Sequence, residues 1–173
     1  VQPADPIETR GAVEYITQHD GPVFLRLTRQ KVTDVNDQNY KFQFGKAVVL
    51  REGSEVSLLG TGAVMENVLK AADQLASQGI SVQVANIHTI KPIDTEFIKS
   101  IATSHGRIGT VEDHGVCGGL GSAVAETVAE LGLGRVRRLG VTEFAESGDT
   151  EGLYEKYGLS SEHISAAAMD LMK

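Results

Sequence analysis

The sequence predicts a three-layer α/β fold on a mostly parallel sheet. Two observations carry this. From Lys46 onward, strand-like and helical runs alternate as strand, helix, strand, helix, strand, helix, strand. That order implies right-handed crossovers and helices on both faces of one sheet. Within the helical run at 63–78, Val64, Val68, Ala71, Ala72 and Leu75 fall at i, i+4, i+7, i+8 and i+11, which is a single apolar stripe.

Each element has its own signal. Residues 7–19 set Ile7, Val13 and Ile16 near one face, a short helix ended by Asp20-Gly21. PVFLRLTR (22–29) alternates, with Val23, Leu25 and Leu27 on one side and Phe24, Arg26 and Thr28 on the other, so it reads as a strand. One helix and one strand cannot bury two faces alone, so residues 1–29 are expected to need a partner sheet. Residues 30–45 are polar and without sustained period, as in a linker. AVVL (47–50) and EVSLLG (55–60) read as strands, and GTG at 60–62 turns into the helix that Gly79 stops. SVQVANI (81–87) is a further strand. Pro92 forbids extension of its ladder, and Asp94 suits the N-cap of a helix over 95–104. RIGTV (107–111), a helix at about 121–131, VRRLGV (136–141) and helices at 150–157 and 161–172, the last behind Ser160-Ser161, complete the series.

At 173 residues the chain can bury a full core with residues to spare. A net charge of −7 offers no basic field for nucleic acid or an anionic membrane surface. The apolar runs are far shorter than the roughly 20 residues that span a bilayer. A single cysteine, Cys117, cannot form an internal disulfide, which fits a reducing cytoplasm as the expected location. The chain opens on Val1, and VQPADPIETR lacks a signal-peptide layout, so a piece of something longer is expected.

Several stretches compete as sites. GTG at 60–62 lies where dinucleotide folds place a phosphate loop, but Met65 stands in place of a third glycine and the following strand ends in Asn86 and Ile87. A tight turn is the better reading. In VEDHGVCGGLGS, Gly118, Gly119 and Gly121 lead into a helix N-terminus suited to an anion, yet no lysine completes a P-loop. Glu112, His114 and Cys117 are closely spaced for one metal ion, and a Cys-His pair there would have only Asp113 to orient it. Structural packing of the Glu112–Ser122 loop against a neighbouring domain or subunit is favoured. His88 and Lys91 lie at a strand end and read as solvated loop residues, and His105 and His163 as surface histidines. Arg26 and Arg29 differ: a guanidinium at the end of a strand suits bidentate grasp of phosphate or carboxylate, with a salt bridge to a missing part of the chain as the alternative.

GPVFLRLTR, a polar linker, VSLLGTGAVMENVLKAADQLASQGISVQVANIHTIKPID, VEDHGVCGGLGSAVAE and ESGDTEGLYEKYGL, in that order and spacing, resemble the C-terminal region of transketolases over essentially the whole chain. The resemblance implies that residues 1–29 end a pyrimidine-binding domain, 30–45 connect, and 46–173 form the C-terminal domain. It also implies a five-stranded sheet with one antiparallel strand, for which AVVL is the candidate. The family transfers a two-carbon ketol unit between sugar phosphates with thiamine diphosphate and Mg²⁺. By that resemblance Arg29 binds the substrate phosphate, with Arg26 second to it and open to a structural role. No catalytic, cofactor-binding or metal residue of the family falls on this chain. The implied partners are the N-terminal portion or subunit, a homodimer mate and a sugar phosphate, and the chain alone is expected to be inactive and to hold no cofactor. Deoxyxylulose-phosphate synthase, the β subunit of a 2-oxo-acid dehydrogenase and a non-catalytic interaction domain are the alternatives.

Overall fold

Apolar residues alternate along the middle strands and sort two helical layers onto one sheet. The computed structural model describes residues 1–173. Five strands, β1 (Val48–Arg51), β2 (Val56–Thr61), β3 (Val82–Asn86), β4 (Arg107–Gly115) and β5 (Arg135–Val141), run in the order β1-β3-β2-β4-β5. β1 pairs antiparallel with β3, and all other pairs are parallel. The one antiparallel strand thus sits at an edge, paired with β3 and not with its chain neighbour β2. β2 is central and buried at every position.

On one face Val56, Leu58 and Val84 pack against α2 (Met65–Ser77) and α6 (Ser161–Met172). On the other, Leu59, Ala85 and Ile108 pack against α3 (Thr95–Ser104) and α4 (Leu120–Leu131). The predicted stripe Val64, Val68, Ala71, Ala72 and Leu75 is fully buried. Asp94 caps α3 by accepting from Phe97 N, and its other carboxylate oxygen accepts from Ala47 N at 3.1 Å. α5 (Thr150–Lys156) is capped by Asp149, which accepts from Gly152 N. No helix is long and apolar enough to cross a membrane.

The GTG stretch is a tight turn. Gly62 has φ +69, and a Cβ there would lie 2.3 Å from Gln2 Nε2; one on Gly60 would lie 2.3 Å from Met65 Sδ. The glycines let α2 and the chain's first residues approach β2 closely.

Residues 1–47 differ from expectation at two points. The predicted strand at 22–29 is not one: its main-chain bonds are Arg26 N to Val1 O (2.9 Å) and Val1 N to Phe24 O (2.8 Å), with no ladder beyond them. Strand preference expresses packing against neighbours, and this segment has no neighbouring strand. α1 (Pro6–Ile16) forms, but it buries Glu8 and Ala12, while Val13 is 44% exposed. Glu8 is accommodated because donors converge on it from three places. Ala4 N (2.7 Å) and Asn86 Nδ2 (2.8 Å) reach Oε2, and Tyr40 OH (2.9 Å) and the same Asn86 amide reach Oε1. Asp5 likewise accepts from Glu8 N, Val35 N, Asn36 N and Asn36 Nδ2. Two carboxylates therefore tie α1 and the 30–45 segment to the end of β3.

Candidate functional site

β4 is longer than RIGTV alone suggests, and its extra residues place the VEDH side chains. Alternation sends Glu112 and Asp113 to opposite faces. Glu112 turns to α4: Oε2 accepts from Leu120 N and Oε1 from Gly121 N, both at 2.8 Å. The free N–H groups that a helix N-terminus would offer an anion are thus taken by the protein's own carboxylate. Burial pushes the Glu112 carboxyl up from its ordinary value, against the pull of those two donors and of His114 and Arg138.

Asp113 turns to the first thirty residues. It accepts from Arg26 Nη1 (2.7 Å), Gln2 Nε2 (2.9 Å) and Tyr154 OH (3.3 Å), and its main-chain oxygen accepts from Arg26 Nη2 (3.0 Å). Arg26 is therefore a structural ion pair, half-buried against Asp113. Arg26 does form a salt bridge, but its partner is Asp113 of this chain and not a missing part of it.

Arg29 is exposed, and no carboxylate or hydrogen-bond acceptor of the chain engages its guanidinium. Its neighbour Gln30 donates from Nε2 to Tyr154 OH at 3.4 Å. Burial, then the charge of Asp113, pushes the Tyr154 phenol up to about 12, so it remains a hydroxyl at neutral pH. Beside Arg26 lies a cavity of about 460 Å³ lined by Gln2, Phe24, Lys91, His114 and Gly118 among others.

The remaining candidates do not converge. His114 and Cys117 are exposed, and no group of three His, Cys, Asp or Glu side chains is arranged to hold a metal ion. Lys91 is exposed as expected of a loop residue, but His88 is not. It is fully buried, Nδ1 lies 2.7 Å from Thr89 Oγ1, and Phe42 packs on its ring at 4.5 Å between centroids. The main chain of residue 88 accepts from Gln2 N, so the folded-back N-terminal stretch covers it. Nothing in local sequence signals that cover. His105 is half-buried: Nδ1 accepts from Arg107 N, which leaves Nε2–H to face Ser57 Oγ at 3.1 Å. Ser57 in turn donates to Gln83 Oε1 (2.7 Å), so proton donation runs away from the histidine and the pair is no nucleophile–base couple. His163 is exposed and 3.6 Å from Glu155.

His88 makes one solution property predictable. Burial first, then the Val1 ammonium, pushes it down from 6.5 to about 4. As pH falls through that window the unfolded chain takes a proton that the folded chain refuses, so stability drops by roughly 2–3 kcal/mol from this group. Glu8 and Glu112, pushed up by burial, act in the opposite sense. Urea unfolding across the window should therefore show His88→Gln losing less stability on acidification than the parent. An identical slope in both would sink the assignment.

Residues 45–164 match the family model described as transketolase, C-terminal domain. A 6-deoxy-6-sulfo-D-fructose transketolase subunit of Clostridium sp. (strain MSTE9) is 42% identical over 98% of this chain and 53% of its own length. A 1-deoxy-D-xylulose-5-phosphate synthase of Syntrophotalea carbinolica is 38% identical over 99% of this chain and 28% of its own. A solved structure described as a split-gene transketolase, an inactive β4 tetramer, superposes with a TM-score of 0.95 at 36% identity, over 98% of this chain and 56% of that one. The chain thus spans about half, or less, of these relatives.

Proposed function

The chain belongs to the transketolase C-terminal domain family, and from that premise we propose that it is the C-terminal portion of a two-carbon ketol transferase acting on sugar phosphates. In this reading residues 1–29 complete a preceding domain, 30–45 connect, and 46–173 form the C-terminal domain. The observation that carries it is the state of the first thirty residues. Phe24 and Leu27 stand 79% and 56% exposed on an extended segment with no strand beside it, while Arg26 fixes that segment to β4. An apolar, edge-free segment anchored at one side is what a missing neighbouring sheet would leave. Relatives named as transketolase subunits, and one described as an inactive tetramer, support a chain that works with a partner portion and not by itself.

Thiamine diphosphate and Mg²⁺ belong, in this reading, to the partner portion. In this chain Glu112 already occupies the glycine-loop N–H groups, and no three His, Cys, Asp or Glu side chains converge on one point. What this chain supplies is Arg29, whose free guanidinium would hold a sugar phosphate by two parallel charge-assisted bonds.

Mixing the purified chain with the matching upstream portion, thiamine diphosphate and Mg²⁺ is expected to produce ketol transfer between sugar phosphates, with none from the chain alone. Turnover by the chain alone would overturn the proposal. Formation of 1-deoxy-D-xylulose 5-phosphate by the mixture, in place of ketol transfer, would establish the synthase reading that the 38% relative supports.

A further inference from the structure

We propose that Asp113 and Tyr154 are positioning residues for Arg29, so that the C-terminal domain sets the affinity for the substrate phosphate without touching it. The inference rests on the phosphate-binding reading of Arg29.

Arg29 itself has no anchor, but the chain on both sides of it does. Three residues upstream, Arg26 makes two bonds to Asp113, one to the carboxylate (2.7 Å) and one to the main-chain oxygen (3.0 Å), a fork that fixes direction as well as distance. Three extended residues span only about 10 Å, so this clamp limits where the Arg29 Cα can lie. One residue downstream, Gln30 reaches Tyr154 OH, and that hydroxyl donates to the other Asp113 oxygen at 3.3 Å. Both anchors therefore end on one carboxylate. Gln2 adds a third donor to it at 2.9 Å and joins the chain's first residues to the same point.

The VEDH and ESGDTEGLYEKYGL stretches, which carry Asp113 and Tyr154, acquire a purpose in this arrangement. Strand alternation aims Asp113 away from α4 and at the segment before the linker. The Asp149 cap starts α5, the helix that carries Tyr154, by accepting from Gly152 N at 2.8 Å. A phosphate is a small target for a five-donor fork, and an arginine on a loose segment would sample many places before meeting it.

The test uses the complete enzyme, formed from this chain and the matching upstream portion, with Asp113→Asn, Tyr154→Phe and Arg29→Ala compared. Tyr154→Phe keeps the ring and removes only the hydroxyl, so it remains informative if Asp113→Asn folds poorly. Each positioning variant is expected to raise KM for phosphorylated sugars about tenfold while leaving kcat and the KM of unphosphorylated analogues within about twofold. Amide exchange over residues 23–30 should quicken several-fold in both, and not in Arg29→Ala. If Arg29→Ala is selective for phosphorylated substrates but the other two are not, the positioning role is wrong and the phosphate site stands. If Arg29→Ala weakens both substrate classes equally, the phosphate reading itself fails and takes this inference with it.

Discussion

Arg29→Ala in the complete enzyme is expected to raise KM for phosphorylated sugars by about 10- to 100-fold and to leave unphosphorylated analogues within about twofold. A charge-assisted bond to an ionised partner contributes roughly 1.5–3 kcal/mol, and each 1.4 kcal/mol is about tenfold in affinity. The guanidinium has no competing partner in the chain, so none of that energy is already committed to an internal ion pair. A phosphate remote from the reacting carbonyl is held alike in ground and transition states, which places the loss in KM and not in kcat. Arg29→Lys should fall between, since the charge survives and the planar fork does not. Steady-state kinetics on matched phosphorylated and unphosphorylated sugars decides this. Equal losses on both would make Arg29 structural.

Arg26 and Arg29 also show where sequence reading stops. Both occupy the same short run, and by residue type either one suits a phosphate. The resemblance ranks Arg29 first, but that Arg26 is held in an ion pair is visible only in the fold, because its partner lies 87 residues away on β4. The second half of the chain was legible for the opposite reason. Its helices carry their buried faces at local spacing, so α3 at Thr95–Ser104 follows from Asp94 and the apolar period, and the α2 stripe from Val64 to Leu75 is buried as written. α1 departs from its period because Ile7, Val13 and Ile16 mark a face that this chain covers only in part, with Val13 exposed, while its buried face is organised by Glu8. A buried carboxylate is invisible to hydrophobic periodicity, since Asn86 and Tyr40 that satisfy it come from β3 and the 30–45 segment. The same long-range cover hides His88. In the glycine loop, anion-binding geometry was legible, but not that the anion is Glu112, because nothing local tells which way a strand's last residues face.

Gly119→Ala tests that last point and is expected to destabilise the fold by about 2–4 kcal/mol, lowering Tm by roughly 5–15 °C for a chain of this size. Backbone strain is not the cause. Gly119 sits at φ −100, ψ −153, extended geometry open to alanine. The cause is space, since a Cβ there would lie 1.9 Å from Glu112 Oε2 and 2.8 Å from its Cδ. That carboxylate cannot swing aside cheaply, because it holds Leu120 N and Gly121 N, and moving it strands two buried donors at the start of α4. Glu112→Ala alone should be destabilising for the same two donors. Adding Gly119→Ala to Glu112→Ala should then cost less than about 1 kcal/mol, since the colliding atoms are gone. Denaturant unfolding of the two single variants and the double variant measures the coupling directly. A full additive loss in the double variant would mean that Gly119 is required by the path of the main chain itself, and that the carboxylate merely fills a space the loop would hold open without it.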